Sequence, residues 1–130
     1  MLTIPACKKE DNSQIPIVPV DFYVYLNQPS NINLNAVGGS VYFNFGYRGI
    51  VVYRSGPSTF VAIERTCSYL PNEGTSQVSI DSTGLFLVDA SCGSKFSMLD
   101  GSVSNGPATL PLRLYATDYD NVNGVVHVSN

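Results

Sequence analysis

Few residues in this chain could do chemistry, and their placing narrows the choice further. There are three cysteines, Cys7, Cys67 and Cys92, and one histidine, His127. Thiols can carry a lipid, pair as a disulfide or ligate a metal, depending on what the fold brings to them. His127 could serve as a base, but it lies in Val126-His127-Val128 near the end of the chain, with no nucleophile in the sequence around it. It reads as a side chain on a terminal strand, and no Ser–His–Asp or Cys–His constellation emerges. Asp118-Tyr119-Asp120 offers two carboxylates, the pair used in general acid–base catalysis. It precedes a segment full of turn formers, however, and reads as a solvated strand end. Gly38-Gly39 lacks the strand-to-helix setting that a phosphate-binding loop requires.

The bulk composition bounds what those residues can serve. With 130 residues the chain is one domain's worth, large enough to bury about two-thirds of its unfolded surface. It is 44% apolar and only 13% charged, against a usual charged share of about 25%. That balance excludes disorder, which pairs low hydrophobicity with high charge. A net charge of −3 provides no basic footprint for nucleic acid. No apolar run approaches the ~18 residues of a membrane span.

The elements that must position the cysteines read as short strands with turn punctuation. Asp21–Asn27 is aromatic and β-branched, Asn31–Val37 alternates polar and apolar, and Ser40–Phe45, Ile50–Arg54 and Thr59–Glu64 follow. Turn clusters fall at Gly46–Gly49, Ser55–Ser58 and Pro71–Ser76. Val78–Ile80 and Leu85–Val88 flank Asp81-Ser82-Thr83-Gly84 and predict a hairpin. Ala90–Ser94 is a loop of small residues. Leu110–Ala116 predicts a strand, and Asn123-Gly124 a hairpin into the last one. Apolar residues nowhere recur at helical spacing, so a sandwich or barrel of strands is expected.

At the start of the chain, Ile4-Pro5-Ala6-Cys7 resembles the end of a bacterial lipoprotein signal, an aliphatic and a small residue before the cysteine that takes the lipid. The polar run from Lys8 to Gln14 then reads as a tether. In the second half, Gly93-Ser94-Lys95-Phe96, Gly101-Ser102-Val103, Gly106-Pro107-Ala108, Pro111-Leu112 and Tyr115 follow in a fixed order and spacing. Upstream, Phe60-Val61-Ala62 leads to Cys67-Ser68-Tyr69. Together these resemble the two loops of Rieske iron–sulfur proteins, C-x-H in the first and C-P-x-H-G-S-x-F, then G-x-V and G-P-A-x-x-P-L, in the second. The resemblance is sharpest over residues 60–115. It implies an all-β, Rieske-like fold of small stacked antiparallel sheets with two converging loops, occupying residues 20–130 behind a signal remnant or tether at 1–19.

A Rieske center holds one iron by two cysteine thiolates and the other by two histidines. Carried over position by position, these four places are Cys67, Tyr69, Asp89 and Cys92, so the resemblance implies a degenerate site with no metal and no cofactor. Convergence of the loops would bring Cys67 and Cys92 into disulfide range, with Ser94 bracing the turn, Gly93 and Gly101 supplying backbone freedom and Gly106-Pro107 covering the pair. The expected function is that of a non-redox, non-enzymatic envelope lipoprotein with a structural or binding role. It would be anchored through Cys7 in the outer membrane, facing periplasm or surface, and contact an unknown protein or small ligand but no nucleic acid. Two other readings use the same residues: an electron-transfer or oxygenase-associated [2Fe–2S] protein with unorthodox ligands, and a thiol–disulfide module at Cys67 and Cys92.

Overall fold

The computed structural model describes residues 15–130, so Cys7 and the lipidation expected there lie outside the described residues. Among the described residues ten strands form two antiparallel sheets. The larger has the order β1 (Asp21–Tyr25), β10 (Val125–Ser129), β9 (Leu114–Asp120), β4 (Phe60–Glu64), β3 (Ile50–Arg54), β2 (Ser40–Phe43). The smaller runs β5 (Val78–Ile80), β6 (Phe86–Asp89), β7 (Lys95–Ser97), β8 (Val103–Asn105). Among the described residues no helix is long and apolar enough to cross a membrane.

Burial explains the sequence patterns. β1 alternates because one face is wet: Phe22 and Val24 point inward and Tyr23 and Tyr25 outward. β3 and β4 carry unbroken apolar runs because both of their faces are covered. Ile50, Val52 and Ala62 enter one core with Val24, Leu34, Phe60, Val126 and Val128. Val51, Tyr53 and Ile63 enter a second core with Cys67, Val78, Leu87, Phe96 and Met98. The β3–β4 pair is thus a wall between two cores, and the small sheet rests on its far side.

Hairpins fall where turn chemistry places them. Asp81 Oδ1 accepts the N–H groups of Thr83 and Gly84 at 3.2 Å each, closing β5 onto β6. Asp120 does the same for Val122 and Asn123 at 3.0 and 3.2 Å. Asp118-Tyr119-Asp120 is accordingly the end of β9, and its last carboxylate serves the turn.

Two expectations are corrected. Asn31–Val37 is not an extended segment: Pro29–Asn35 forms a 3₁₀ helix, with Leu34 fully buried beneath it. Pro29 fits a first helical position, and the Asn31 and Asn35 amides donate to the carbonyls of Tyr25 and Leu26 at 3.0 and 3.2 Å. The strand expected at Leu110–Ala116 begins only at Leu114, because residues 106–113 run as a strap beside the second core, with Leu112 bonded to Gly101. β7 and β8, three residues each, are further strands that no sequence pattern marks.

Candidate functional site

The site is assembled from the loop after β4 and the loop after β6. β4 delivers the first loop from a rigid base. Its last residue, Glu64, is fully buried, and its two carboxylate oxygens collect five hydrogen bonds. Oε1 accepts from Tyr47 N–H at 2.9 Å and the Tyr115 hydroxyl at 2.6 Å. Oε2 accepts from Arg48 N–H at 2.8 Å, Thr66 N–H at 3.2 Å and the Thr66 hydroxyl at 2.7 Å. Gly46 is required here, since a Cβ on it would stand 2.5 Å from Glu64 Oε1 at a φ of +73°. Burial and the adjoining Glu64 push the Tyr115 phenol pKa up, so its proton stays in the network. Glu64 was not singled out in the sequence; the available signal was a charge closing the apolar run Thr59–Glu64.

Beyond Thr66 the chain turns into the first loop. Cys67 N–H donates to Ser76 O at 3.0 Å, and the Ser76 hydroxyl donates to Tyr69 O at 3.1 Å, which folds the loop on itself. Arg48 reaches over it to the carbonyls of Pro71 and Gly74. The second loop is pinned by Asp89, whose Oδ1 takes Ser91 N–H at 2.9 Å and the Ser91 hydroxyl at 2.6 Å. Ser94 Oγ lies 3.1 Å from Cys92 Sγ and accepts Ala108 N–H at 3.0 Å, so the strap is fastened to the loop. Gly93 and Gly101 have φ of 84° and 73°, and Gly106-Pro107 is joined by a cis bond.

Three of the four positions singled out by the resemblance therefore meet. The ligand-type atoms of Cys67, Asp89 and Cys92 all lie within 4.8 Å of one another. Cys67 and Asp89 are buried, whereas Cys92 is half-buried. Tyr69 reaches the same place from above: with Asp89, Ser91 and Cys92 it lines a cleft of about 310 Å³ that Leu70, Glu73, Thr75 and Ser76 complete. The expected disulfide is not formed, and both thiols are free. Both sulfurs lie within 4.8 Å of an Asp89 carboxylate oxygen, near enough for each to bear on its ionisation.

The electrostatics follow from that arrangement. Burial pushes the Cys67 thiol up to about 12; the Tyr69 N–H, 3.4 Å from Sγ, works against this, while the Asp89 carboxylate adds to it. Burial also pushes Asp89 up, but bonds from Ser91 and from both thiols outweigh it and hold the carboxyl below its ordinary value.

Solved structures place this architecture. The plasma membrane Rieske protein PetC3 of the cyanobacterium Synechocystis superposes with a TM-score of 0.58 at 25% identity, over 78% of this chain and 95% of that one. The fold is Rieske-like. A complex of oxygenase and ferredoxin in carbazole 1,9a-dioxygenase matches with a TM-score of 0.52 at 25% identity, covering 71% of this chain and 81% of that chain. The ferredoxin of carbazole 1,9a-dioxygenase from Nocardioides aromaticivorans matches with 0.52 at 20% identity, covering 85% and 95%. No protein-family model matches the sequence, and no curated protein matches it either.

A Rieske-like domain raises the question of whether these residues suit a [2Fe–2S] cluster. The donor set does not fit the group. One iron of a Rieske center takes two imidazoles, and the cleft at the tip is lined by Tyr69, Glu73, Asp89 and Cys92 with no histidine among its residues. The single histidine, His127, is on β10 of the large sheet. Its Nε2 is 2.6 Å from Asp21 Oδ1 and its ring stacks on Tyr23 at 4.4 Å. That surface, with Tyr25, Asp118, Asp120 and Asn123, shares no residue with the cleft at the tip.

Proposed function

We propose that this chain is a Rieske-type domain that works without an iron–sulfur cluster, in a non-enzymatic structural or binding role at a bacterial cell envelope. The carrying observation is the donor set at the converging loops: thiol, phenol, carboxylate and thiol, with no imidazole among them. Lipidation at Cys7 would hold the domain at the membrane surface, leaving the tip free to meet a protein or a small ligand. In an oxidising compartment Cys67 and Cys92 would close as a disulfide, which constrains a loop of ~25 residues and adds about 3.5 kcal/mol in the chain-entropy account.

The test is elemental. The full chain, purified without air from its native host, is assayed for iron, acid-labile sulfide and visible absorption. A colourless protein with neither element is the expected result. Two irons and two sulfides per chain would overturn the reading in favour of an electron-transfer protein with unorthodox ligands.

A second reading, as a thiol–disulfide module, is favoured by one observation: a half-buried thiol close to a buried one, both free. Cys92 would attack a substrate disulfide and release one thiol. Cys67 would then attack the Cys92 sulfur of the mixed disulfide, its proton passing to the departing thiolate, and so complete the Cys67–Cys92 bond. Equilibration with glutathione separates the two readings. A potential well below that of the glutathione couple marks a structural bridge, and one near or above it marks an exchanging pair.

A further inference from the structure

We propose that, in its dithiol form, the tip binds a single Zn²⁺ ion through Cys67 Sγ, Cys92 Sγ and the Asp89 carboxylate, with a fourth position open to the cleft. The proposal rests on the cluster-free reading and goes beyond it by assigning a mononuclear site.

Geometry is the first support. Zinc bonds of about 2.0–2.3 Å at tetrahedral angles set ligand atoms roughly 3.3–3.8 Å apart. The three atoms already lie within 4.8 Å of one another, so seating the ion needs an inward movement of about 1 Å or less. Two of the three ligands are buried, and their backbones are fixed by hydrogen bonds within the loops, so the site is largely built before the ion arrives.

The surroundings are those that metal ligands require. Each ligand has an outer partner that orients it. Ser91 fixes Asp89 through Oδ1. Tyr69 N–H is directed at Cys67 Sγ. Ser94 Oγ already accepts from Ala108 N–H, so its own hydrogen is free to donate to Cys92 Sγ. Two thiolates and one carboxylate select a borderline-soft ion over Mg²⁺ or Ca²⁺, which take oxygen ligands. On binding, the two S–H bonds give way to two Zn–S bonds and both protons pass to solvent. No oxidant or reductant takes part.

The open face distinguishes this arrangement from a closed structural site. The cleft beside Cys92 holds the Tyr69 phenol and the Glu73 carboxylate, and it has room for water or a small anionic or thiol ligand on the ion. The tip would therefore be a place where a ligand is held through metal, which gives the binding role a chemical form.

The experiment is a Co²⁺ titration of the full chain, reduced with a phosphine and kept without air, with Zn²⁺ used to displace the cobalt. Expected are sulfur-to-cobalt charge transfer in the near ultraviolet and intense tetrahedral bands in the visible, saturating at one ion per chain and abolished by Zn²⁺. Asp89→Asn should weaken binding at least ~10-fold and Cys92→Ser by more, with His127→Ala unchanged. If Cys92→Ser fails to fold, Asp89→Asn and the stoichiometry carry the test. Absence of thiolate–cobalt bands in a protein whose two thiols titrate as free overturns the mononuclear site alone. Bound iron and sulfide in the native preparation would overturn both this inference and the cluster-free reading.

Discussion

Replacing Glu64 by glutamine would test whether the base of the tip depends on a carboxylate. The substitution keeps shape and size but turns one acceptor oxygen into a donor. If the new NH₂ takes the Oε2 place it faces two N–H groups, those of Arg48 and Thr66. If it takes the Oε1 place it faces only Tyr47 N–H, because the Tyr115 hydroxyl can rotate to accept. The second arrangement wins, and it leaves one main-chain donor unsatisfied. An orphaned donor costs about 1–3 kcal/mol, and the surviving bonds lose their charge assistance, so the total is about 2–4 kcal/mol. For a domain of this length that corresponds to a fall in Tm of roughly 7–15 °C. Urea unfolding followed by circular dichroism measures it, with the slope of the transition unchanged. A loss below about 0.5 kcal/mol would refute the argument, since it would mean that water or backbone movement replaces the carboxylate at no cost.

Ser94→Ala removes the acceptor for Ala108 N–H and the partner of Cys92, so a loss of about 1–3 kcal/mol is expected by the same denaturation measurement. Thiol labelling of the reduced native protein should modify Cys92 first, because Cys67 has 0% exposure and its thiol pKa is raised; comparable rates at the two positions would contradict the burial. Stability should also fall in alkali. The folded state holds the Cys67 proton up to about 12, against an ordinary value of 9.0, so this contribution is fully present below pH 9 and is lost as pH rises through 12. Tyr115 acts in the same sense above its ordinary 10.0, and urea midpoints across this range, compared with those of Cys67→Ala, separate the two groups.

Much of this was legible because local chemistry and burial agreed. Ile50–Arg54 reads as a strand and is one, and Asp81 and Asn123-Gly124 announce turns that their own bonds close. The convergence of Cys67, Asp89 and Cys92 was legible only through the resemblance, since nothing between them in sequence says that two loops meet. The failures have definite causes. Asn31–Val37 alternates like a strand, but its asparagines bond backward to β1 and the segment coils over Leu34. β7 and β8 are too short for any period to register, and Pro111 keeps the strap irregular until Leu114. The two thiols approach as the resemblance implies, with the Asp89 carboxylate in the same cluster, and both are free.

The wall formed by β3 and β4 has a consequence for how such a domain can change its cargo. Val51, Tyr53 and Ile63 press into the small sheet from behind, so the loops are carried by Val78, Leu87, Phe96 and Met98 rather than by whatever they grip. The footing of both loops is thus apolar packing rather than any contact at their tips. Side chains at the loop tips can therefore be exchanged one at a time while the packing that holds the two loops in place is kept.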